Sequence, residues 1–404
     1  MSTLPDISAS LLALSGALQA LYFSIGLGHV VQTVRRLPTA AAGLDLPRRG
    51  TPSVCIVIPA HNEERSLPEL IATLRAQDYP SFRVVLALDR CTDRSAELAR
   101  RAIDNDRRFS IVEIDQCEPG WAGKVHAAYR GVKDAQAENA DLLLFADADT
   151  LFHPRCVSAC VALLQHRKLD MLSLVSTMRW QKPHERIAQA SACLELIRQY
   201  PLLRSNRDHG RRAFANGQFM LFTRECYARF GGHHEVRREL LEDLRFAQIL
   251  EYYSMRCGVL LADGLLVCRM YDSWAQFRKG WKRIFTEAAH RRPGRLRSLA
   301  VGLFLTHALW PLLSLAGLAL GVAGLGMGNA GAVACAAGLL AWITLLAAVQ
   351  KLAKGPPITV ATFPIGAAVT ASILWEAARD LTTGRGTQWG GMTYDRRTTP
   401  PGPA

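Results

Sequence analysis

The sequence predicts a soluble α/β domain with a mostly parallel β-sheet, placed between membrane-spanning helices. Short apolar, β-branched runs alternate with helical patterns from Ser53 onward. Long apolar runs lie near both ends of the 404 residues, whereas charged residues are concentrated between them. Polar residues follow directly after several predicted strands. We therefore expect an N-terminal anchor and linker over residues 1–47, an α/β domain over 48–297, and membrane segments with a tail over 298–404.

The first apolar run, Leu11 to Val34, carries no Asp, Glu, Lys or Arg. It is long enough to cross a hydrocarbon core of about 30 Å. A cleaved signal peptide is the alternative, but no basic residue precedes the run and Arg35 and Arg36 follow it. Positive charges flank membrane helices on the cytoplasmic side, so these arginines predict that the following domain is cytoplasmic.

Three apolar runs near the C-terminus span Ser298–Met327, Ala330–Gln350 and Pro357–Ala378, and Pro311 interrupts the first of them. Three crossings would place the tail, with Arg385, Arg396 and Arg397, on the outer face, against the usual charge distribution. Two alternatives stay open. Either one run is re-entrant or lies in the membrane interface, or the tail breaks the rule.

The formal charge of +13 is compatible with nucleic acid, a membrane surface or a phosphorylated substrate. The chain has no basic low-complexity arm, zinc-finger spacing or RNA-binding aromatic signature, so we expect no nucleic-acid partner. Many basic residues flank the apolar runs, which favours a membrane surface. The ten cysteines include no C-x-x-C pair, which is typical of reduced thiols in the cytosol.

The central domain reads as alternating strands and helices. The expected strands are Val54–Ile58, Arg83–Leu88, Ser110–Ile114 and Asp141–Phe145, and the expected helices are Glu63–Gln77, Ser95–Ile103 and Gly123–Asp134. Asn62 is the expected N-cap of the first helix. Ligands gather at the carboxyl ends of parallel strands. Those ends carry His61, Asn62, Glu63, Asp89, Asp93, Asp147 and Asp149.

Asp147 and Asp149 follow a buried strand with only Ala148 between them. Two neighbouring carboxylates there are costly unless a cation or hydrogen-bond donors compensate them. Mg²⁺ or Mn²⁺ would do so, and would take diphosphate oxygens as further ligands. A cap for the helix near Pro154 is the structural alternative.

Two further segments are candidates for the site. Asp243 can act as a general base toward an acceptor hydroxyl, although Glu242 and Asp243 also suit the start of a helix. Asn216, Gly217 and Gln218 form a small polar turn that suits close approach to a sugar, and a plain turn explains them almost as well.

Two features have a membrane or structural interpretation. The segment Trp274 to Arg297 has the outline of an interfacial amphipathic helix with aromatic residues toward lipid, or of a helix packed on the catalytic domain. His233 and His234 have no second cluster of metal ligands near them in sequence, so we expect a structural role.

Taken together, the motifs resemble family 2 glycosyltransferases with the GT-A fold. The resemblance covers about Ser53 to Arg283 and rests on five segments: Val57-Ile58-Pro59-Ala60-His61-Asn62-Glu63-Glu64, Leu88-Asp89-Arg90-Cys91-Thr92-Asp93, Gly120-Trp121-Ala122-Gly123-Lys124, Asp147-Ala148-Asp149 and Glu242-Asp243. The corresponding family elements are P-x-x-N-E, D-D-x-S-T-D, G-W-x-G-K, D-x-D and E-D. Leu88 stands in place of the first aspartate of the second element.

The resemblance implies a role for each matching residue. Asp89 and the backbone near Ala60 would contact the nucleobase, and Glu63 would support the nucleoside. Lys124 would lie near the phosphates, and Asp147 would face the ribose or sugar. Asp149 would hold Mg²⁺ or Mn²⁺, and Asp243 would be the base of an inverting displacement. Asn216, Gly217, Gln218 and Glu242 complete the expected acceptor or sugar pocket.

The resemblance also indicates the substrates. Gln276-Phe277-Arg278-Lys279-Gly280-Trp281 lacks the Q-x-x-R-W spacing of processive synthases, and Gln388 to Tyr394 is similar to a W-K-G-R-x-Y ending of lipid-directed members. Membrane members with this layout are similar to ceramide glucosyltransferase and to bacterial enzymes associated with hopanoids or carotenoids. We expect transfer of one sugar from a nucleotide diphosphate-sugar, such as a UDP-sugar, to a lipid acceptor at a bacterial inner membrane. The alternatives are a polysaccharide synthase and a non-catalytic membrane scaffold.

Overall fold

The computed structural model describes residues 4–47, 49–134, 137, 139–207, 210–324 and 329–395. Helices α1–α14 and strands β1–β12 are numbered in chain order. The chain divides into two compact units. The helical unit comprises Met1–Arg36, Trp180–Gln199 and Tyr271–Arg385, and the sheet unit comprises Leu37–Arg179, Tyr200–Met270 and Gly386–Ala404. Arg396, Arg397 and the end of the first C-terminal apolar run lie outside the described residues.

The sheet unit is built on a seven-stranded sheet of order β3-β2-β1-β4-β8-β6-β9. Its strands are β1 Val54–Ala60, β2 Phe82–Asp89, β3 Phe109–Ile114, β4 Leu142–Ala146, β6 Met171–Val175, β8 Phe219–Thr223 and β9 Cys257–Leu261. All neighbours pair in parallel except β8, which runs antiparallel to β4 and β6. The predicted mostly parallel sheet is therefore confirmed.

Helices cover both faces of this sheet. They are α2 Leu67–Arg75, α3 Ser95–Ile103, α4 Gly123–Val132, α5 Cys156–His166, α7 Leu202–Ser205, α8 Arg224–Arg229 and α9 Glu242–Tyr252, with 3-10 turns at Ala40–Asp45 and Gly232–His234. All seven residues of β1 are buried, as a central strand covered on both faces requires. Ile56 and Ile58 belong to one core cluster, and Cys55 and Val57 belong to the cluster on the opposite face.

Two smaller sheets complete this unit. The strands β5 Thr150–Phe152, β10 Leu266–Cys268 and β7 Thr177–Met178 form one, in the order β5-β10-β7. The C-terminal hairpin pairs β11 Thr387–Trp389 with β12 Met392–Tyr394. Gly390 and Gly391 form its turn with φ of 53° and 73°, a conformation that two consecutive glycines adopt without steric cost. No sequence pattern predicts either small sheet.

The predicted elements of the sheet unit agree with the structure except at the first helix. The four predicted strands and two of the three helices are confirmed within two residues. The first helix was expected at Glu63–Gln77 but begins at Leu67, and Asn62 is not its N-cap. Instead, Asn62 has a φ of 56°, and its Oδ1 accepts a hydrogen bond from the Thr92 amide at 2.8 Å. This long-range bond draws Asn62 away from the helix.

The helical unit contains α1 Leu4–Arg36, α6 Ala190–Gln199, α10 Trp274–Ala288, α11 Pro293–Leu303, α12 Trp310–Val322, α13 Asn329–Leu352 and α14 Ile358–Thr383. Two π-helical turns, Glu185–Gln189 and Phe304–Leu309, precede α6 and α12. The second turn lies just before Pro311, where proline removes a backbone donor. The interruption predicted at Pro311 is therefore a π-helical turn within a nearly continuous helix.

Four helices in the described residues are long and apolar enough to cross a membrane, which supports membrane association. They are Ser10–Arg36, Pro293–Val322, Asn329–Leu352 and Ile358–Thr383. The first contains the predicted N-terminal anchor, and the other three correspond to the three C-terminal apolar runs.

The helix α10 differs from the sequence expectation in its aromatic residues. Phe277, Trp281 and Phe285 are buried inside the protein instead of facing lipid. Arg278 and Lys282 bind Glu376 and Asp380 of α14 instead of remaining free for lipid phosphates. The lipid-facing interpretation of these three aromatic side chains is therefore wrong. The helix α10 packs on α14 and α6 of the same helical unit.

Candidate active site

Loops at the carboxyl ends of β1 and β2 are tied together by hydrogen bonds. The Glu63 amide donates to Ser95 Oγ at 2.7 Å, and the Glu64 amide donates to Asp93 Oδ2 at 3.1 Å. Ser66 Oγ in turn donates to Glu63 Oε2 at 2.6 Å. Ala60 is buried at the end of β1, opposite Leu88 of β2. These bonds fix the predicted nucleoside-binding residues Ala60 and Glu63 beside the loop that contains Asp89.

Asp89 is 2 % exposed, and Arg90 holds both of its carboxylate oxygens. The two bonds measure 2.9 and 2.6 Å and form a bidentate pair. Arg90 Nη2 also donates to the Gly390 carbonyl of the C-terminal hairpin at 3.3 Å. The sequence does not mark Arg90 as a site residue, because nothing in its position beside Asp89 indicates the hairpin 300 residues away. The nucleobase contact predicted for Asp89 stays a prediction, and Arg90 would compete with it for the carboxylate.

The C-terminal hairpin also covers the start of α4. Tyr394 Oη accepts a hydrogen bond from the Gly123 amide at 3.2 Å. A Cβ on Gly123 would lie 2.8 Å from Arg90 Nη2 and 3.0 Å from Asp89 Oδ2, so only glycine permits this close approach. The first amides of a helix are a ready anion site. The hairpin therefore occupies a donor beside Lys124 that a phosphate group could otherwise use.

Lys124 connects two of the predicted site residues. Its Nζ lies 2.6 Å from Asp147 Oδ1 and 2.7 Å from Glu242 Oε1. Burial alone would lower the pKa of Lys124, but Asp147, Glu242 and Asp243 together raise it well above its usual value. Burial likewise disfavours the charged form of Glu242, yet Lys124 outweighs burial and lowers the pKa of that carboxyl group. The Lys124 ammonium and the Glu242 carboxylate are thus both ionised.

Asp243 stands at the start of α9, as expected, but its carboxylate also reaches outside the helix. Oδ2 accepts a hydrogen bond from the Gly217 amide at 2.7 Å, and Oδ1 accepts one from the Leu244 amide at 2.7 Å. A Cβ on Gly217 would lie 3.1 Å from Asp243 Oδ2 and 3.2 Å from Lys124 Nζ. Gly217 therefore brings the turn and the two charged groups together.

Burial, followed by the neighbouring Glu242 carboxylate, raises the pKa of Asp243 to about 6, although Lys124 and the two amides oppose the shift. A carboxylate with a pKa near neutrality is a stronger base than an ordinary aspartate. Raised carboxylate pKa values of this kind are frequent at catalytic positions. Asp243 therefore has the proton affinity that a general base requires.

The other two residues of the predicted sugar pocket are held by the protein itself. Asn216 Nδ2 donates to the Leu174 carbonyl at 2.9 Å and to Gln218 Oε1 at 3.1 Å. Gln218 is buried at 6 % exposure. Their amides therefore fix the turn around Gly217. The contacts predicted between these amides and a sugar stay a prediction.

Asp149 occupies a region of negative charge. Burial, Asp147 and Glu63, in that order, raise its pKa well above the usual value, while a hydrogen bond from the Cys268 thiol at 3.5 Å opposes the shift. The helix α5 begins after Arg155 without a side-chain cap, and Asp147 binds Lys124 instead. The alternative of a helix cap is therefore wrong for these two carboxylates.

This set of carboxylates fits a hard divalent cation. Concentrated carboxylate oxygens suit Mg²⁺ or Mn²⁺, and such an ion commonly completes its shell with substrate phosphates. Within the described part of the chain, no group of three His, Cys, Asp or Glu side chains is arranged to hold a metal without such help. Asp149 would thus be the protein ligand for such an ion.

His233 packs inside an aromatic cluster. The centroid of its ring lies 4.4 Å from that of Phe145 and 5.0 Å from that of Phe246, and its Nδ1 is 2.8 Å from Tyr227 Oη. Burial lowers the pKa of His233 to about 3, so the ring stays neutral. These contacts are those of a packing residue, in agreement with the structural role expected from the sequence.

The Lys124 cluster supports a first prediction about stability. Replacing Lys124 by Met should lower the free energy of unfolding by roughly 3 kcal/mol, because the buried Glu242 carboxylate loses its cation. The melting temperature of the detergent-purified protein measures the effect. Adding Glu242→Gln to Lys124→Met should recover part of the loss. A single variant as stable as the wild type would contradict the ion pairing described here.

Comparison with known proteins gives the family context of this site. Residues 52–258, about half of the chain, match the family described as "Glycosyltransferase like family 2". This match confirms the resemblance inferred from the motifs and the enzyme class that it implied. With the sheet described above, it also confirms the expected GT-A fold class.

Several curated relatives are 4,4'-diaponeurosporenoate glycosyltransferases of Staphylococcus aureus. The protein of strain bovine RF122 / ET3-1 is 27 % identical over 260 residues, and that of strain USA300 is 28 % identical over the same length. Each alignment covers 62 % of this chain and 66 % of the relative, so just under two thirds of these relatives is matched.

Two solved structures resemble the chain more distantly. One is a mannosyltransferase from Pyrobaculum calidifontis in complex with GDP-Man and Mn²⁺, with 18 % identity, a TM-score of 0.47, and coverage of 89 % of this chain and 99 % of that one. The other is Staphylococcus aureus TarS 1–349 in complex with UDP-GlcNAc, with 13 % identity, a TM-score of 0.41, and coverage of 86 % and 97 %. Nothing further about this chain follows from these two similarities.

Proposed function

Because the chain belongs to glycosyltransferase-like family 2, we propose that it transfers one sugar from a nucleotide diphosphate-sugar to a hydroxyl group of a membrane lipid, with inversion at the anomeric carbon. The observation that carries this proposal is the constellation of Lys124, Glu242, Asp243 and Gly217. It joins a cation suited to phosphate with a base suited to an acceptor hydroxyl.

Asp243 removes the acceptor proton as the new glycosidic bond forms. Its pKa of about 6 leaves most of the carboxylate ionised at neutral pH, yet basic enough to accept the proton. The amides of Gly217 and Leu244 hold its two oxygens in position. Attack from the face of the anomeric carbon opposite the leaving diphosphate accounts for inversion.

Lys124 places positive charge beside the expected diphosphate. Asp147 and Glu242 neutralise it in the structure, and a diphosphate would compete with them for the same ammonium. Glu63 and the backbone at Ala60 would position the nucleoside, and Asp147 would face the ribose or sugar. When bound at Asp149, Mg²⁺ or Mn²⁺ would neutralise the charge that grows on the departing nucleoside diphosphate.

The acceptor is proposed to be a lipid hydroxyl at the cytoplasmic face of a bacterial inner membrane. The four apolar helices, the arginines after the N-terminal span and the bacterial relatives support this location. The relatives are named for a carotenoid acid, which is a lipid-like acceptor. A carboxylic acid is already ionised at neutral pH, whereas a hydroxyl needs a base. The raised pKa of Asp243 therefore favours a hydroxyl acceptor.

A screen of radiolabelled nucleotide sugars tests this proposal. Membranes containing the protein should transfer label from at least one donor into a chloroform-soluble product, and membranes without it should not. A polysaccharide synthase would instead leave the label in a water-soluble polymer. A non-catalytic scaffold would transfer no label from any donor, although the carboxylates expected for catalysis are all present.

The pH dependence of transfer should report Asp243. Below pH 6 the rate should fall about tenfold per pH unit, because only the ionised carboxylate accepts a proton, and above pH 7 it should level off. The measurement is the initial rate at saturating donor in buffers of constant ionic strength. A rate that stays level down to pH 4 would contradict this prediction. It would show that transfer depends on an aspartate with an unperturbed pKa or on no base.

Donor binding should displace the C-terminal hairpin, because Arg90 and Tyr394 occupy groups that the nucleotide needs. Replacing Tyr394 by Phe removes the hydrogen bond from Gly123 and favours the displaced state. We expect the Kd of the nucleoside diphosphate to fall about two- to tenfold, the equivalent of one hydrogen bond. Calorimetry measures the Kd, with Tyr253→Phe on the exposed end of α9 as the control. Unchanged or weaker binding would contradict displacement.

A further inference from the structure

The structure gives a way to decide which C-terminal helices cross the membrane, a question that the sequence leaves open. The C-terminal hairpin belongs to the sheet unit, where it contacts Arg90 and Gly123. It must therefore lie on the same side of the membrane as the sheet. The chain between α10 and the hairpin contains three long apolar helices. These three helices must cross the membrane an even number of times.

Two of the three have the properties of a transmembrane bundle with α1. A Cβ on Gly16 of α1 would lie 2.6 Å from the backbone of Ala334 in α13, and one on Gly338 of α13 would lie 2.8 Å from the Gly16 carbonyl. Gly321 of α12 makes a similar close approach to Ala332 of α13. Small residues of this kind allow membrane helices to pack closely. The outward-facing side chains of the bundle are apolar and include Leu14, Leu312, Val333 and Leu340.

The last helix, α14, has different neighbours along its length. Thr362 Oγ1 donates to the Arg186 carbonyl at 2.9 Å, and Thr370 lies 2.8 Å from Ser191 Oγ. Further along, its acidic residues bind cations of α10. Arg278 Nη2 contacts Glu376 at 2.9 Å, and Lys282 Nζ contacts Asp380 at 2.6 Å. The π-helical turn Glu185–Gln189, α6 and α10 thus place polar and charged residues beside α14, whereas Phe363 of α14 packs against His307 and Trp342.

Placing α14 across the bilayer would carry these neighbours into hydrocarbon with it. A charged side chain at the centre of a membrane helix costs roughly 3 kcal/mol. Crossing would expose α10, with Arg278, Lys279 and Lys282, to that cost, in addition to Glu376 and Asp380. The runs Leu11–Val34, Ser298–Val322 and Ala330–Gln350 carry no Asp, Glu, Lys or Arg, whereas Glu376 and Asp380 lie in the last turns of α14. The helix α14 is therefore the one that does not cross.

We propose that the chain crosses the membrane three times, through α1, the continuous helix α11–α12, and α13, and that α14 lies along the membrane surface on the side of the sheet unit. The exposed residues of α14 fall on one stripe at helical spacing: Ile358, Ala361, Ile365, Ser372, Trp375, Arg379, Thr382 and Thr383. Ile358, Ile365 and Trp375 are more than half exposed, and they contact lipid at the interface. Arg379 near the end of the stripe faces the lipid phosphates.

The same arrangement explains the length and charge of the preceding helix. Pro293–Val322 has 30 residues, more than the roughly 20 that one crossing needs. Arg295 and Arg297 lie in its first turns. The first turns of α11, with these arginines, lie in the interface, and the rest of the continuous helix through α12 provides the crossing. Arg385 then lies on the same side of the membrane as Arg35 and Arg36, in agreement with the positive-inside tendency.

Epitope accessibility in full-length chains tests this topology. A short epitope is placed after Gly324, after Lys354 or at the C-terminus, and a fourth copy after Asp104 marks the side of the sheet unit. Antibody binding is compared in intact and permeabilised spheroplasts. We expect the sites after Lys354, after Asp104 and at the C-terminus to require permeabilisation, and the site after Gly324 to be accessible without it.

Two outcomes would overturn the proposal. A C-terminal epitope on the side opposite Asp104 would mean that α14 crosses, and an epitope after Gly324 on the same side as Asp104 would mean that α12 and α13 do not. A chain with only the C-terminal epitope guards against disruption by the internal insertions. In sealed inverted vesicles, trypsin should remove this epitope, and its protection would equally overturn the proposal. Both results are independent of sugar transfer.

Discussion

Replacing Asp243 by Asn should lower the rate of sugar transfer by a factor of about 10² to 10⁴, the usual contribution of a general base. The variant keeps an oxygen that can accept a hydrogen bond from the Gly217 or Leu244 amide, but it cannot take the acceptor proton. The rate is measured with the donor and lipid acceptor both saturating.

Binding must be measured beside the rate for this variant. We expect the Kd for the nucleoside diphosphate to change less than about twofold, because Asp243 acts on the acceptor. Glu251→Gln is the matched control, since Glu251 lies exposed on the same helix α9. A variant that transfers sugar at the wild-type rate would exclude Asp243 as the base. A full rate toward a carboxylic acid acceptor, with a lost rate toward a hydroxyl, would instead identify the group that needs the base.

Replacing Asp149 by Asn should weaken metal-supported binding of the nucleoside diphosphate at least about 100-fold, since a bound cation contributes several kcal/mol of charge stabilisation. Electron paramagnetic resonance of Mn²⁺ with UDP measures binding of the ion without requiring transfer. Asp115→Asn, which changes an exposed carboxylate after β3, is the control. Equal Mn²⁺ binding by the variant and the wild type would remove Asp149 from the metal site.

Although it weakens binding, Asp149→Asn should stabilise the fold when no metal ion is bound. Burial and the charges of Asp147 and Glu63 raise the pKa of Asp149, so its ionised form destabilises the fold when no cation is bound. The destabilisation is absent below the ordinary aspartate pKa of about 4, grows as the pH rises above it, and is complete once the pH reaches the raised pKa. In a chelating buffer at neutral pH, Asp149→Asn should therefore melt at a higher temperature than the wild type. A lower melting temperature would show that the carboxylate is stabilised by the protein alone.

The sequence was sufficient to predict the sheet because its strands are short, β-branched and buried on both faces. Val54–Ala60 has no polar residue, and a helical pattern follows each such run. The carboxylates at the strand ends could be predicted for the same reason, since their positions depend on the topology of the sheet. Asn62 was misplaced because its partner, Thr92, is 30 residues away and competes with the local helix.

The arrangement inside the site could not be predicted, because it depends on contacts between distant segments. Lys124 and Glu242 are 118 residues apart, and Arg90 and Gly390 are 300 apart. Neither periodicity nor spacing indicates that the C-terminal hairpin covers Asp89. The burial of Phe277 and Trp281 was equally hidden, since an amphipathic helix has the same pattern whether its apolar face meets lipid or protein.

The mass of the lipid product tests the proposed function most directly. After incubation with the donor identified by the radiolabel screen, the extracted lipid should gain the mass of one sugar residue, and no heavier product should accumulate at long times. A ladder of products separated by one sugar mass would show a polysaccharide synthase. If no donor changes the mass of any lipid, the chain does not perform the transfer proposed here.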